Sequence, residues 1–308
     1  MVNAVEAMPV DGARPTRRAQ VAIVIPAFNE EGAVHATVCE VREALGAAGI
    51  SHEIVVVDDG STDGTRAEAA RSGARVIGCD ANVGYGHALK LGIATSDAAL
   101  IGILDADGTY PPKALPAMIA LAARADMVVG DRGRSMNNVP FIRRPAKWIL
   151  KLLASVLARR RIDDVNSGLR VFHRRAVDRF VPLLPDGYSF TTTITLCMLA
   201  SDLTVVYYPI HYGRRIGHSK IRARHFFKFV FLVLRLTLIF QPLRIFLPLA
   251  SGLLAAGIAH ALYRDALLDP PPVALFAGAA GIAVASLGLW ANRHARMHAP
   301  GRAGPGDR

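Results

Sequence analysis

The sequence predicts an α/β domain with a mostly parallel sheet, followed by two C-terminal transmembrane helices. Three observations carry this: short apolar runs alternate with helical stretches between about residues 20 and 220, polar motifs follow the first, second and fourth runs, and two long uncharged segments close the chain.

Taken in order, residues 1–20 are rich in turn formers and arginine and lack the apolar core of a signal peptide, so a disordered lead is expected. The runs VAIVIP (21–26), EIVVVDD (53–59), ARVIG (74–78), AALIGILD (98–105) and DMVVG (126–130) have strand length and are continuously apolar, as in strands buried on both faces. Helices fit between them at about 31–48, 64–72, 84–94 and 112–124. Such βαβ alternation puts a binding site at the carboxyl ends of the strands, where PAFNE, DDGSTDGT and DADGTYPP all lie. The domain is expected to span 21–222.

Two segments have the pattern of helices lying on a membrane surface. Over 143–161, Lys147 and Lys151 share one face while Ile149, Leu150, Leu153, Val156 and Leu157 occupy the other. Over 223–241, Arg224, Lys228 and Arg235 fall within about 40° of one another at the helical repeat. A transmembrane hairpin is expected over 242–292, because Asp, Glu, Lys and Arg are missing from 245–263 and from 270–292. A basic tail, 293–308, follows. Arginines flank the hairpin while Asp265 and Asp269 sit in its connector, so the positive-inside rule puts the α/β domain and both termini on the cytoplasmic side of the cell membrane.

The net charge of +11 is thereby directed at lipid head groups, and no nucleic-acid partner is expected. Cys39, Cys79 and Cys197 are odd in number and show no CxxC spacing, so neither a disulfide framework nor a zinc site is suggested, and a reducing compartment fits. The uncharged spans offer no polar pathway for a transporter.

No GxxxxGK[ST] occurs, and Gly84, Gly86 and Gly92 form only a degenerate dinucleotide pattern that does not follow the first strand. Phosphate can instead be held through a cation on carboxylates. Asp105 and Asp107, one residue apart in a turn leaving a strand, suit that task.

PAFNE, VVDDGSTDGT, the Asp105-Ala106-Asp107 triplet, DDVNSGLRVF and RRIGHSKI occur in the order found in family-2 glycosyltransferases of GT-A fold. Together with the hairpin, the chain resembles the polyprenyl-phosphate (dolichyl or undecaprenyl) sugar transferases over about 21–292. The resemblance implies that Pro26, Phe28 and Glu30 line the nucleotide, that Asp59 bonds its base, and that Asp107 binds Mg²⁺ or Mn²⁺, with Asp105 toward ribose or metal. It also places Arg132, Ser167, Arg170, Arg214, Ser219 and Lys220 toward donor or acceptor phosphate. Gly108 and Thr109 depart from the Leu-Gln that often follows the triplet in mannosyl and glucosyl transferases. No Gln-x-x-Arg-Trp of the processive synthases occurs.

The expected reaction is inverting transfer of a sugar from a UDP- or GDP-linked donor to a polyprenyl phosphate. A phosphate monoester is mostly dianionic at pH 7 and needs cations more than a base. Arg132, Arg143, Arg144, Arg170, Arg214 and Lys220 fit that need. Asp164 and Asp186 are the candidate bases if the acceptor is instead a glycan or lipid hydroxyl. A non-catalytic nucleotide-sugar-binding scaffold is a further alternative. The sequence leaves the sugar, nucleotide, polyprenol and oligomeric state open.

Overall fold

The computed structural model describes residues 19–133, 164, 166–213, 224–263 and 272–298. Seven strands form one sheet: β1 Val21–Ala27, β2 His52–Asp58, β3 Arg75–Gly78, β4 Leu100–Ile103, β5 Met127–Asp131, β6 Arg170–His173 and β7 Val205–Pro209. Their order is β3-β2-β1-β4-β6-β5-β7. Every pairing is parallel except those of β6, which runs antiparallel to β4 and β5.

The helices are α1 Val34–Ala47, α2 Thr65–Arg71, α3 Tyr85–Ala94, α4 Leu115–Leu121, α5 Arg174–Asp178, α6 Phe190–Ala200, α7 Arg224–Phe240, α8 Leu243–Tyr263 and α9 Pro272–His298. Both sheet faces are covered, which is why the strands read as unbroken apolar runs. Ile23, Ile25, Val56 and Val128 face α1 and α4 through Val34, Val38, Leu115 and Met118. Val24, Val55, Val57 and Phe172 face the opposite way, toward Leu89 and Ile93 of α3 and Phe190 and Ile194 of α6. Gly92 has no side chain because a Cβ there would lie 2.4 Å from Val24 Cγ1, so glycine lets α3 sit directly on β1.

The five expected strands are all present, within two residues at most ends. β6 and β7 are additions to the expectation. β6 begins with an arginine and is only four residues long, so neither length nor apolar continuity marks it in sequence. It nevertheless controls the site: running backwards, it starts at the edge where the parallel strands end, with Arg170 paired to Ile103, and so carries Asp164 and residues 166–169 to that edge.

Beyond the sheet, α7 buries Val233, Leu236 and Phe240 in the same core as α6 and exposes Phe231, Leu234, Arg235 and Leu238. α8 and α9 pack antiparallel. A Cβ on Gly281 would touch Leu254 and one on Gly288 would touch Phe246, so these glycines let the two backbones approach closely. Among the described residues one segment, Leu243–His260, is long and apolar enough to cross a membrane. The expected interfacial helix over 143–161 lies outside the described residues.

Candidate active site

Strand order sets the location of the site. β1 pairs with β4 only as far as Val24 and Ile103, yet continues beside β2 to Ala27 and Asp58. A crevice therefore opens between β1 and β4, where the order of connection reverses. Pro26 is buried as the penultimate residue of β1, past the final β4 pair, where its missing N–H interrupts no ladder on that side.

The loops after β1 and β2 are bound to each other. Asn29 adopts a left-handed conformation (φ +57°), which its short polar side chain tolerates. Its N–H donates to Ser61 Oγ at 3.0 Å, and its Oδ1 accepts the Thr62 N–H at 2.9 Å. The Glu30 N–H donates to Thr65 Oγ1 at 2.8 Å. Phe28 and Glu30 are half-buried at this mouth. Asp59 is buried, and its two oxygens accept the N–H groups of Val83 (3.0 Å) and Gly84 (2.8 Å). Asp59 thus fastens the 82–84 loop to the end of β2.

Asp105 and Asp107 stand half-buried just beyond β4. Asp107 Oδ1 accepts from the Thr109 N–H (3.1 Å) and hydroxyl (2.6 Å), with Gly108 at φ +69° between them. The Gly-Thr departure therefore completes an Asx turn around the second carboxylate. Asp105 Oδ1 accepts from the Tyr85 hydroxyl at 2.9 Å. The Tyr85 phenol is pushed far above its ordinary pKa, first by burial and then by the Asp105 charge, and so remains a donor.

Both carboxylates are suited to one Mg²⁺ or Mn²⁺. A magnesium ion commonly takes one or two protein carboxylates and completes its shell with substrate phosphate and water. Two acids at the crevice are enough for that mode, and among the described residues no cluster of three or more ligating side chains competes for the ion.

The opposite wall comes from β5, β6 and the segment after β7. Arg132 grips Asp164 through Nε to Oδ2 (2.7 Å) and Nη2 to Oδ1 (2.9 Å). The Arg132 guanidinium lies 5.4 Å from the centre of the Tyr212 ring, which meets Tyr110 edge-on at 5.0 Å. Burial pushes the Asp164 carboxyl up, but Arg132 and the Asn166 N–H outweigh it and hold the acid below its usual range. A carboxylate held in this way is a poor general base. Asp186, the other candidate base, is more than half exposed and pairs with Lys90 at 2.5 Å.

Ser167 is fully buried, and its Oγ has no hydrogen-bond partner among the described residues. Arg170 differs from the expectation that it faces a phosphate. It is completely buried, with Nε donating to Ser167 O (2.7 Å) and Nη1 to Thr195 Oγ1 (2.5 Å). Burial lowers its pKa. The side chain lies on the α6 side of the sheet and braces the turn before β6. Thr192 of α6 secures the same turn through Asn166 Oδ1. Gly213 is anchored by its N–H to Thr109 O at 2.9 Å. Arg214, Ser219 and Lys220, which follow it, lie outside the described residues, as do Arg143 and Arg144.

Sequence reasoning missed the aromatic residues. Of seven tyrosines in the chain, Tyr85, Tyr110, Tyr188 and Tyr212 gather at this edge. Each is next to or inside a glycine-bearing motif (NVGYG, DGTY, PDGYS, YGRR), a signal that could have pointed to them. Gly84 and Gly86, the degenerate nucleotide pattern, have a different use. A Cβ on Gly86 would lie 2.1 Å from Pro185 O, and one on Gly84 would lie 2.5 Å from Asp186 O, so these glycines admit the 185–187 backbone.

The family model "Glycosyl transferase family 2" matches residues 22–181. An undecaprenyl-phosphate 4-deoxy-4-formamido-L-arabinose transferase of Aeromonas hydrophila is 29% identical over 56% of this chain and 57% of its own length, so the chain spans little more than half of that relative. A dodecaprenyl-phosphate galacturonate synthase of Rhizobium johnstonii is 27% identical over 72% of this chain and 68% of its own. Among solved structures, glucosyl-3-phosphoglycerate synthase of Mycobacterium tuberculosis in complex with Mg²⁺ and UDP has TM-score 0.54 at 18% identity, covering 71% of this chain and 79% of that one. Mannosyl-3-phosphoglycerate synthase of Rubrobacter xylanophilus has TM-score 0.54 at 20% identity, covering 71% and 72%. These likenesses establish a GT-A-like α/β fold. With the family model spanning more than half of the residues, and with its motifs assembled around one crevice, the chain belongs to glycosyl transferase family 2.

Proposed function

We propose that the protein transfers a sugar from a nucleoside-diphosphate donor to a polyprenyl phosphate at the cytoplasmic face of a membrane. The observation that carries the reading is the position of Asp105 and Asp107 at the β1–β4 crevice of a chain that also bears a helix long and apolar enough to cross a membrane. The names of the Aeromonas and Rhizobium relatives, both polyprenyl-phosphate enzymes, support it.

Pro26, Phe28, Glu30 and Asp59 border the donor's nucleoside half, with Asp59 acting through the loop it fastens. Asp105 and Asp107 would hold Mg²⁺ or Mn²⁺, which neutralises charge on the diphosphate leaving group. An acceptor phosphate oxygen attacks the sugar C1 from the side opposite the leaving nucleoside diphosphate. A C–O bond to the acceptor forms as the C1–O bond to the nucleoside diphosphate breaks, and the electron pair leaves with that diphosphate, inverting C1.

No proton has to be removed from a dianionic phosphate, which agrees with the poor basicity of Asp164. Arg132, held by Asp164 and Tyr212, presents charge on the acceptor side. Ser167, with Arg214, Ser219 and Lys220 from the segment that follows Gly213 in the sequence, would complete the acceptor side. Arg170 supports Ser167 from beneath.

In this reading α8 and α9 both span the membrane. Leu247, Leu249 and Ile258 on one helix, and Phe276, Ile282, Leu287, Leu289 and Trp290 on the other, all point outward. Large apolar side chains around the outside of a two-helix unit suit lipid rather than water.

The test is a donor screen with purified membranes and a polyprenyl phosphate, reading the glycolipid by mass. A product one glycosyl unit heavier than the acceptor phosphate is expected. Transfer only to a hydroxyl-bearing acceptor, with strict need of Asp164 or Asp186, would replace this reading with the hydroxyl one.

A further inference from the structure

Parts of the chain that no single motif connects confine the Asp105 carboxylate from two sides. On one side the Tyr85 hydroxyl donates to Oδ1 at 2.9 Å. On the other, the Gly168 backbone lies over the face of the carboxylate, so close that a Cβ there would lie 2.5 Å from Oδ2 and 2.7 Å from both Cγ and Oδ1. Gly168 is itself held, its N–H donating to the Tyr110 hydroxyl at 2.7 Å. A carboxylate with a donor on one oxygen and a backbone wall across its face has little room to rotate.

Tyr85 is immobilised in turn. It opens α3, and its ring stacks on Tyr188 with centroids 6.1 Å apart and planes 19° from parallel. Tyr188 belongs to a strap, residues 184–189, fastened across the start of α3. The N–H groups of Gly86 (2.7 Å) and His87 (3.0 Å) donate to Asp186 O. Lys90 Nζ reaches the Asp186 carboxylate at 2.5 Å and Leu184 O at 3.2 Å.

We propose, resting on the reading of Asp105 as one of two carboxylates at the donor diphosphate, that Tyr85 is a positioning residue for the metal site. Its hydroxyl holds the Asp105 carboxylate against Gly168 and thereby raises the affinity of the site for a divalent cation, while Tyr188 and the strap keep the phenol in place. A neutral donor suits this role because it orients the carboxylate without cancelling the charge that attracts the cation. A cationic side chain in the same position would compete with the metal. Hydrogen bonds of this kind behind a ligand typically change metal affinity ten- to a hundredfold.

The experiment uses the full-length protein in detergent. Mn²⁺ is titrated in the presence of UDP and, in parallel, GDP, and bound Mn²⁺ is read by electron paramagnetic resonance. Tyr85→Phe keeps the ring and its stack but loses the hydroxyl, and should weaken nucleotide-dependent Mn²⁺ binding by about tenfold. Tyr188→Ala keeps the hydroxyl but loses the stack, and should weaken binding by a smaller factor. Thermal unfolding verifies that both variants are folded. Wild-type Mn²⁺ affinity in folded Tyr85→Phe would overturn the positioning role, since ring packing alone would then suffice. Failure of the wild-type protein to bind Mn²⁺ with either nucleotide would overturn the donor reading itself, and this inference with it.

Discussion

Arg132 and Asp164 meet side-on, Nε to Oδ2 at 2.7 Å and Nη2 to Oδ1 at 2.9 Å, joining the end of β5 to the turn that precedes β6. Both side chains are largely buried, at 14% and 10% exposure. Removing one partner strands the other charge away from water, which typically costs about 3–5 kcal/mol. Arg132→Met should therefore lower thermal stability more than the double variant Arg132→Met/Asp164→Leu, measured by unfolding in detergent. Equal losses would mean that the pair is not coupled.

The same pair sets an acid limit. The folded-state pKa of Asp164 is depressed, so its contribution to stability is fully present above the unfolded value of about 3.9 and is lost as pH falls through the lower folded value. Thermal stability of the wild-type protein should decline below about pH 4, and part of that decline should vanish in Arg132→Met. An identical acid limb in the two proteins would assign the decline to other carboxylates.

Asp107→Asn tests the metal site with little disturbance of the fold, because Asn retains the Oδ1 acceptor that closes the turn onto Thr109. Sugar transfer should fall at least about a hundredfold, and Asp105→Asn should fall somewhat less, each with weakened metal dependence. Full activity of Asp107→Asn in the presence of chelator would remove the metal from the mechanism.

Gly86→Ala adds a methyl where Pro185 O stands 2.1 Å from an ideal Cβ. The strap must then lift from α3, at a cost of about 1–3 kcal/mol typical of overpacking. A melting temperature within error of wild type would show that the strap is not seated there.

Truncation after Gln241 should leave a folded domain, because Val233, Leu236 and Phe240 of α7 belong to the core shared with α6. The remaining exposed stripe of Phe231, Leu234 and Leu238, with Arg235 beside it, should bind anionic vesicles in a salt-sensitive way. Recovery of the whole truncated protein in the supernatant at low salt would defeat the interfacial role of α7. In the full chain, Arg214→Ala and Lys220→Ala should each slow turnover of a polyprenyl phosphate in micelles by about ten- to a hundredfold while leaving nucleotide-product binding intact. Near-normal turnover would confine these residues to lipid contact.

The sequence by itself determined the parallel half of the sheet and the position of its polar motifs. Runs such as VAIVIP and EIVVVDD are apolar at every position because both faces are covered, and the turn residues that follow them mark the carboxyl edge without reference to any distant partner. The two carboxylates after β4 were legible for the same local reason, and so was the long uncharged stretch of α8. Tertiary structure alone decided what surrounds them. β6 has no apolar continuity to reveal it, and its reversed direction is what brings Gly168 against Asp105 and turns Arg170 inward to brace Ser167. Tyr85, Tyr110, Tyr188 and Tyr212 carry no periodic signal, since a single tyrosine in a loop or at a helix start reads the same whether it faces water or a carboxylate. Asp59 and Asp164 read as available acids in the sequence, yet one clasps two backbone N–H groups and the other an arginine. Such pairings join segments far apart along the chain, and only the packing of the sheet between its helix layers brings them within hydrogen-bonding distance.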